Sequence, residues 1–329
     1  MKKTIQILIS IILFIIFAYY FYTQLNENKE QLRTLSHELP GLLGYFILSI
    51  FLFCIAIAIR SWRWNIMLDV KNSFWISYRS ISIGYLVQTP LSKLGEVVRI
   101  TNQINYINKG KGEIVSTVFV DRLLDFICLA LILFTSIQLS GEKLAVNFPE
   151  ISGLAPILAL FVLAGTIGAI VFLFMRNTIL GTMKKTKLIP EKIRDRLISF
   201  LENFIKGLEC VKSPRVLVQF LISSIFIWIC YFFNFYLIVS FFSFTDGLLS
   251  FSDSIFVFVC STLGAIIPVP GGLAYPLAIQ KSFVFVLPTI TEAQALGIGT
   301  VCYFTIMWVT NFINGGLTLS YQLLTKKKT

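Results

Sequence analysis

The chain has 329 residues, 56% of them hydrophobic and 14% charged, with 31 phenylalanines, a mean hydropathy of +0.79 and a formal net charge of +11. A soluble domain of this size cannot cover so much apolar surface, so the composition specifies a membrane protein with several spans. Little of the chain is left for a folded aqueous domain, which excludes chemistry that needs a large aqueous active site.

Runs of about 20 apolar residues predict full spans, and they fall at 4–22, 41–60, 114–139, 153–175, 216–243 and 294–323. The first follows Lys2 and Lys3 but ends in Ala18-Tyr19-Tyr20-Phe21-Tyr22 without a small-residue cleavage site, so it reads as a retained anchor. With the N-terminus inside, 24 of the 28 basic residues lie in inner segments, ten of them within 176–215. That asymmetry excludes nucleic acid as the reason for the charge and predicts N-in, C-in topology. The basic face is expected against anionic headgroups.

Two broken segments lie between these spans. Residues 61–113 leave the second span and return to the same side, and within them 81–89 is apolar enough to enter the bilayer but too short to cross. Residues 246–293 do the same from the outer side: 251–267 enters, 268–272 turns and 277–287 returns. Each carries a glycine followed six residues later by a proline, Gly84 with Pro90 and Gly264 with Pro270. Interrupted segments at corresponding positions of two halves mark the substrate site of repeat-built transporters. Irregular backbone at membrane depth must be buried in protein or line a wet cavity, so the two loops are expected to face each other. The alternative is that each hairpin is a pair of tilted full spans, giving eight or more crossings.

The predicted fold is therefore an all-α integral membrane protein, about six full transmembrane helices plus two broken re-entrant hairpins in an inverted repeat around a central cavity. It forms a single polytopic domain over 1–329. Its parts are an N-terminal anchor and outer loop (1–40), a first repeat (41–140), a linking span with a basic cytoplasmic amphipathic segment (141–215) and a second repeat (216–329). In the basic segment Ile193, Leu197, Leu201, Phe204, Leu208 and Val211 recur at helical spacing opposite Lys192, Arg194, Arg196 and Lys206. This suits either a helix lying on the inner leaflet or a connector packed under the bundle.

A charge at mid-bilayer costs about 2.5–3.5 kcal/mol on insertion scales, so each needs a partner or a role. Candidates are Arg60 and Arg63, Glu96 and Arg99, the Asp121-Arg122-x-x-Asp125 cluster, and Lys281. Asp121 and Asp125 share one helical face, and Arg122 is three before Asp125, so an internal ion pair is available. The bland readings are snorkelling beside an aromatic belt for Arg60 and Arg63, a structural ion pair for the aspartates, and reach to the outer interface for Lys281. Asn234, Asn311 and Asn314 read as hydrogen-bonding links between helices. The six cysteines form no C-x-x-C pair, and no P-loop, H-E-x-x-H or nucleophile elbow occurs. No metal site, cofactor or catalytic residue is expected.

Several of these segments resemble the lysylphosphatidylglycerol synthase transmembrane, or flippase-like, family. They are Arg63-Trp64, Pro90-Leu91-Ser92-Lys93-Leu94-Gly95-Glu96-Val97-Val98-Arg99, Asp121-Arg122-Leu123-Leu124-Asp125 and Pro270-Gly271-Gly272-Leu273. The resemblance implies a multi-pass protein of the bacterial cytoplasmic membrane that moves or presents a lipid or lipid-linked headgroup. Two positions depart from the family pattern: Ala274 and Leu277 stand where Gly-x-x-Glu often follows Pro-Gly-Gly-Leu, and a common arginine of the last span is replaced near Tyr303. The soluble aminoacyltransferase domain of the bifunctional members resembles nothing in this chain, so lysine transfer to phosphatidylglycerol is not expected of it.

The expected function is translocation of an anionic phospholipid or lipid-linked glycan. The expected substrate-binding set is Arg63, Pro90, Gly95, Glu96, Arg99, Asp121, Arg122, Asp125, Pro270, Gly271, Gly272 and Lys281. Arg63, Arg99 and Arg122 would bind the phosphate, with the acids holding them. The alternatives are a non-transporting membrane partner of a glycosyltransferase or aminoacyltransferase, and an ion-coupled small-solute transporter.

Overall fold

A computed structural model describes residues 39–69, 74–91, 94–139, 190–208, 214–242, 248–267 and 269–326, together with isolated positions elsewhere. The expected spans 4–22 and 153–175 lie outside the described residues.

The described residues are helical, without strands. In chain order the helices are α1 (Leu43–Leu68), α2 (Phe74–Gln88), α3 (Leu94–Tyr106), α4 (Lys111–Leu139), α5 (Glu191–Leu208), α6 (Pro214–Ser240), α7 (Phe251–Ile266), α8 (Ala274–Val286), α9 (Glu292–Cys302) and α10 (Thr310–Lys326). A π-helical turn, Tyr303–Val309, joins α9 to α10. Leu43–Leu68, Pro214–Ser240 and the continuous Glu292–Leu324 are long and apolar enough to cross a membrane. They match three of the expected spans, and the 29-residue α4 covers a fourth.

Local chemistry sets the breaks. α1 ends where Asp69 turns left-handed (φ 45°) and its N–H returns to Ile66 O. Ser250 caps α7 by accepting from Asp253 N, and Thr291 caps α9 in a reciprocal box with Gln294. The second hairpin turns through Pro270–Gly272, where Gly271 and Gly272 have φ of 77° and 72°, which a side chain would strain.

The arms of the two hairpins, α2/α3 and α7/α8, have 15, 13, 16 and 13 residues. At 1.5 Å per residue they are about 20–24 Å long, short of a hydrocarbon core of about 30 Å. Glycines let each pair of arms close tightly. A Cβ on Gly95 would stand 2.5 Å from Gly84 O, and one on Gly264 would stand 2.8 Å from Ala274 O.

The packing scheme reads alike from either half. α1 packs on α6, the first helix of one half against the first of the other. There Ser49 Oγ donates to Asn234 Oδ1 (2.6 Å) and Asn234 Nδ2 to Ser49 O (3.2 Å). Each closing helix then packs on the other half's hairpin, α4 on α7 and α10 on α2. The α10–α2 seam is polar at intervals: Asn311 Nδ2 meets Thr89 Oγ1 (3.0 Å), and Asn314 meets Ser82 (3.1 Å) and Tyr78 (2.8 Å). All three asparagines thus link helices, as their positions in apolar spans suggested.

α5 packs beneath the start of α4 with Ile198 and Ile205 buried, while Leu197 and Phe200 face outward. The connector reading therefore holds for the face of this helix that carries Ile198 and Ile205. A direct check of topology is thiol labelling in a cysteine-free background. Cysteine at Ser252 should react with an impermeant reagent from outside and cysteine at Lys71 should not; outside labelling at Lys71 would overturn opposite entry of the hairpins.

Candidate functional site

Three helices bring seven charged side chains together. α1 supplies Arg60 and Arg63, one turn apart on one face. α3, the returning arm of the first hairpin, supplies Glu96 and Arg99, and α4 supplies Asp121, Arg122 and Asp125. Arg60 lies about 26 Å along α1 and Asp121 about 15 Å along α4, so the cluster sits inside the length of both helices.

Asp121 is the hub. Fully buried, it accepts from Arg60 Nη1 (3.1 Å) and Arg99 Nη1 (3.0 Å) and from Arg63 Nη2. Asp125 accepts from Arg60 Nη1 (2.8 Å), Arg63 Nη2 (3.2 Å) and Arg122 Nη1 (3.2 Å). Arg122 Nη2 also pairs with Glu96, whose second oxygen lies 3.7 Å from Arg99 Nη1. Arg63 Nη1 donates to Ser224 Oγ of α6 (2.7 Å), drawing the second half into the site.

Burial grades from core to rim. Arg60, Arg63, Arg99 and Asp121 are at most 3% exposed, whereas Glu96 and Arg122 are about one third exposed, at 30% and 34%. Arg60 and Arg63 therefore do not snorkel to an aromatic belt; their heads turn inward onto acids of another helix. Two aromatic faces line the arginines: Trp64 stands 4.1 Å from the Arg99 guanidinium and Tyr231 5.9 Å from that of Arg60. Trp64 is itself fixed by donating Nε1–H to Thr117 Oγ1 (2.8 Å).

Among the described residues four arginines meet three carboxylates, which leaves one positive charge over. The donors left over are specific: Arg99 Nη2, and the Nε atoms of Arg60, Arg63 and Arg99, have no hydrogen-bond partner among the described residues. Buried donors without partners are costly, and a planar guanidinium fork suits a phosphate or carboxylate.

Of the expected set, Arg63, Glu96, Arg99, Asp121, Arg122 and Asp125 come together here. Gly95 lies at the crossing of the first hairpin's arms, and Pro90 is exposed in its turn. Gly271 and Gly272 form the second turn against the π-helical segment: Tyr303 Oη–H donates to Gly271 O, and a Cβ on Gly272 would lie 3.4 Å from Met307 Cε. Pro270 opens that turn. Lys281 instead pairs with Glu292 (3.2 Å), both about half exposed, where α8 meets α9. Arg60 is the site residue left out of the expected set; its signal was the one-turn spacing from Arg63. No metal-binding group of three or more His, Cys, Asp or Glu occurs among the described residues.

A multi-pass helical membrane protein with two short-armed hairpins and an arginine-rich buried cluster is the class that fold and site define. The chain belongs to the lysylphosphatidylglycerol synthase TM region family, whose sequence profile matches residues 4–315. It is 23% identical over 342 aligned positions to a UPF0104 membrane protein of Pyrococcus horikoshii, covering 98% of each chain. No solved structure matches it.

Proposed function

We propose that the protein translocates an anionic phospholipid or lipid-linked glycan between leaflets of a cytoplasmic membrane, with both termini inside. The observation that carries this reading is the surplus positive charge of the cluster, with unpartnered Arg99 donors beside a rim formed by Arg122 and Glu96. A phosphodiester brings one negative charge and acceptor oxygens, so it neutralises the surplus and satisfies those donors by charge-assisted bonds. The hairpins supply the route: their arms are too short to cross upright, and re-entrant segments entering from opposite faces give each leaflet a way to the cluster. The Arg122–Glu96 pair opens first because it is the least buried, and Asp121 and Asp125 hold Arg60 and Arg63 in place meanwhile. No step requires covalent chemistry.

The test is reconstitution in vesicles carrying fluorescent phosphatidylglycerol or a fluorescent polyprenyl-phosphate-linked sugar in the inner leaflet. Native protein should bring one of these to the outer leaflet, and Arg122→Gln should slow it by about tenfold or more, as expected when a charged hydrogen bond to the substrate is lost. Folded yield should stay near normal, because a one-third exposed ion pair contributes about 0–1 kcal/mol. Movement of neither lipid by native protein would refute the proposal.

A further inference from the structure

We infer that the π-helical turn Tyr303–Val309 is a joint that couples the tips of the two hairpins, so that a change at one loop is transmitted to the other; this rests on the transport reading for its purpose but not for its mechanics. The turn touches both tips. On one side Tyr303 donates its hydroxyl to Gly271 O in the second loop, and Met307 Cε packs toward Gly272. On the other side Met307 O lies 3.0 Å from the hydroxyl of Thr89, the first residue past the first hairpin's entering arm. Asn311 Nδ2 bridges the same place, donating to Met307 O (2.7 Å) and Thr89 Oγ1 (3.0 Å).

The backbone explains why this stretch can act as a joint. In the π turn the N–H of Thr310 bonds Thr305 O, five residues back, instead of the usual four. Such a widened turn releases carbonyls from the regular ladder and bends easily toward a normal α-helix. Met307 O shows the result, since it accepts from Asn311 Nδ2 and stands within hydrogen-bond reach of the Thr89 hydroxyl at the tip of the first hairpin. The glycines opposite it have positive φ and no side chain, so the second loop follows the turn without steric resistance.

The first tip is also tied back to the charged cluster. The Thr89 hydroxyl stands 3.0 Å from both Met307 O and Tyr85 O and gives its one proton to either, and the Tyr85 and Tyr231 hydroxyls lie 3.4 Å apart, with Tyr231 beside Arg60. Occupation of the cluster thus has a continuous physical line to the second loop through Tyr231, Tyr85, Thr89 and Met307. Coupling along this line shows as a response at a distance.

That response is measurable in nanodiscs, where both faces of the full chain are accessible, with the six native cysteines replaced by alanine. Single cysteines at Leu91→Cys and Ile267→Cys, both outward-facing, report the two tips through their thiol-labelling rates. Tyr303→Phe, which removes the hydroxyl bonded to Gly271 O, should change labelling at the Leu91 position by about threefold or more. Asn311→Leu, or the milder Thr89→Val, should change it at the Ile267 position to a similar degree. Changes confined to the loop whose tie was cut would overturn the joint. Cross-effects in a protein that moves no lipid would sink the transport reading and leave the joint standing; lipid movement without cross-effects would do the reverse.

Discussion

Asp121→Asn should be the most destabilising single change in the cluster, lowering stability by about 3–5 kcal/mol, the usual cost of leaving buried charges without their partner. Asp121 is the shared acceptor of Arg60, Arg63 and Arg99, each at most 3% exposed. Asparagine fills the same volume but carries no charge, so three buried guanidinium groups lose a common anion at once. The thermal unfolding midpoint in detergent should fall far more for Asp121→Asn than for Arg122→Gln, which acts at the rim. The triple change Asp121→Asn, Arg122→Gln, Asp125→Asn separates two views of the cluster. If the Asp-Arg-x-x-Asp segment balanced itself, neutralising all three charges would be harmless. In the structure it leaves Arg60, Arg63 and Arg99 facing Glu96 alone, so the triple variant should be less stable than Asp121→Asn. A triple variant as stable as the native protein would show that the contacts between α1 and α4 contribute nothing.

That contrast marks where local sequence stops being informative. The internal pair Arg122–Asp125 follows from spacing along one helix, and it is present at 3.2 Å. Asp121 has no such local clue: its partners lie 22, 58 and 61 positions away, on two other helices. The two broken segments were legible because proline, glycine and limited apolar length all punctuate the chain at the same places. Arg60 was legible as a candidate but not as a member of the site, since an arginine at the end of an apolar run beside Trp62 and Trp64 looks the same whether it reaches toward water or turns inward. The π turn left no mark either; Tyr303–Val309 is a largely apolar run, and the partners it meets, Thr89 and Gly271, stand far from it in sequence. Lys281 fell outside the cluster because its pairing with Glu292 depends on how α8 docks on α9, which no spacing rule supplies.

Gly95→Ala should impair both folding and lipid movement, with the larger effect on movement. A Cβ there would meet Gly84 O at 2.5 Å and Gln88 Cβ at 2.5 Å. The first of these is backbone and cannot swing aside, so the arms of the first hairpin must separate by a substantial fraction of an ångström. Overpacking of this kind costs about 1–3 kcal/mol. The functional loss follows from position: Glu96 is the next residue and Arg99 is one turn further, so displacing α3 at Gly95 moves both away from Arg122 and Asp121. Two further alanines calibrate the result. Gly84→Ala meets Arg99 Cβ and Gly95 O at 3.1 Å, a milder crowding on the same crossing. Gly316→Ala meets nothing within 4 Å, and in a helix interior alanine should stabilise by about 0.5–1 kcal/mol. Unfolding midpoints should therefore rank Gly316→Ala above Gly84→Ala, and Gly84→Ala above Gly95→Ala. Lipid movement should fall in that same order, more steeply than stability, because the tight crossing both closes the hairpin and aims its two charges at the cluster. A Gly95→Ala protein that unfolds early but moves lipid at the native rate would separate those two roles and remove the first hairpin from the substrate path.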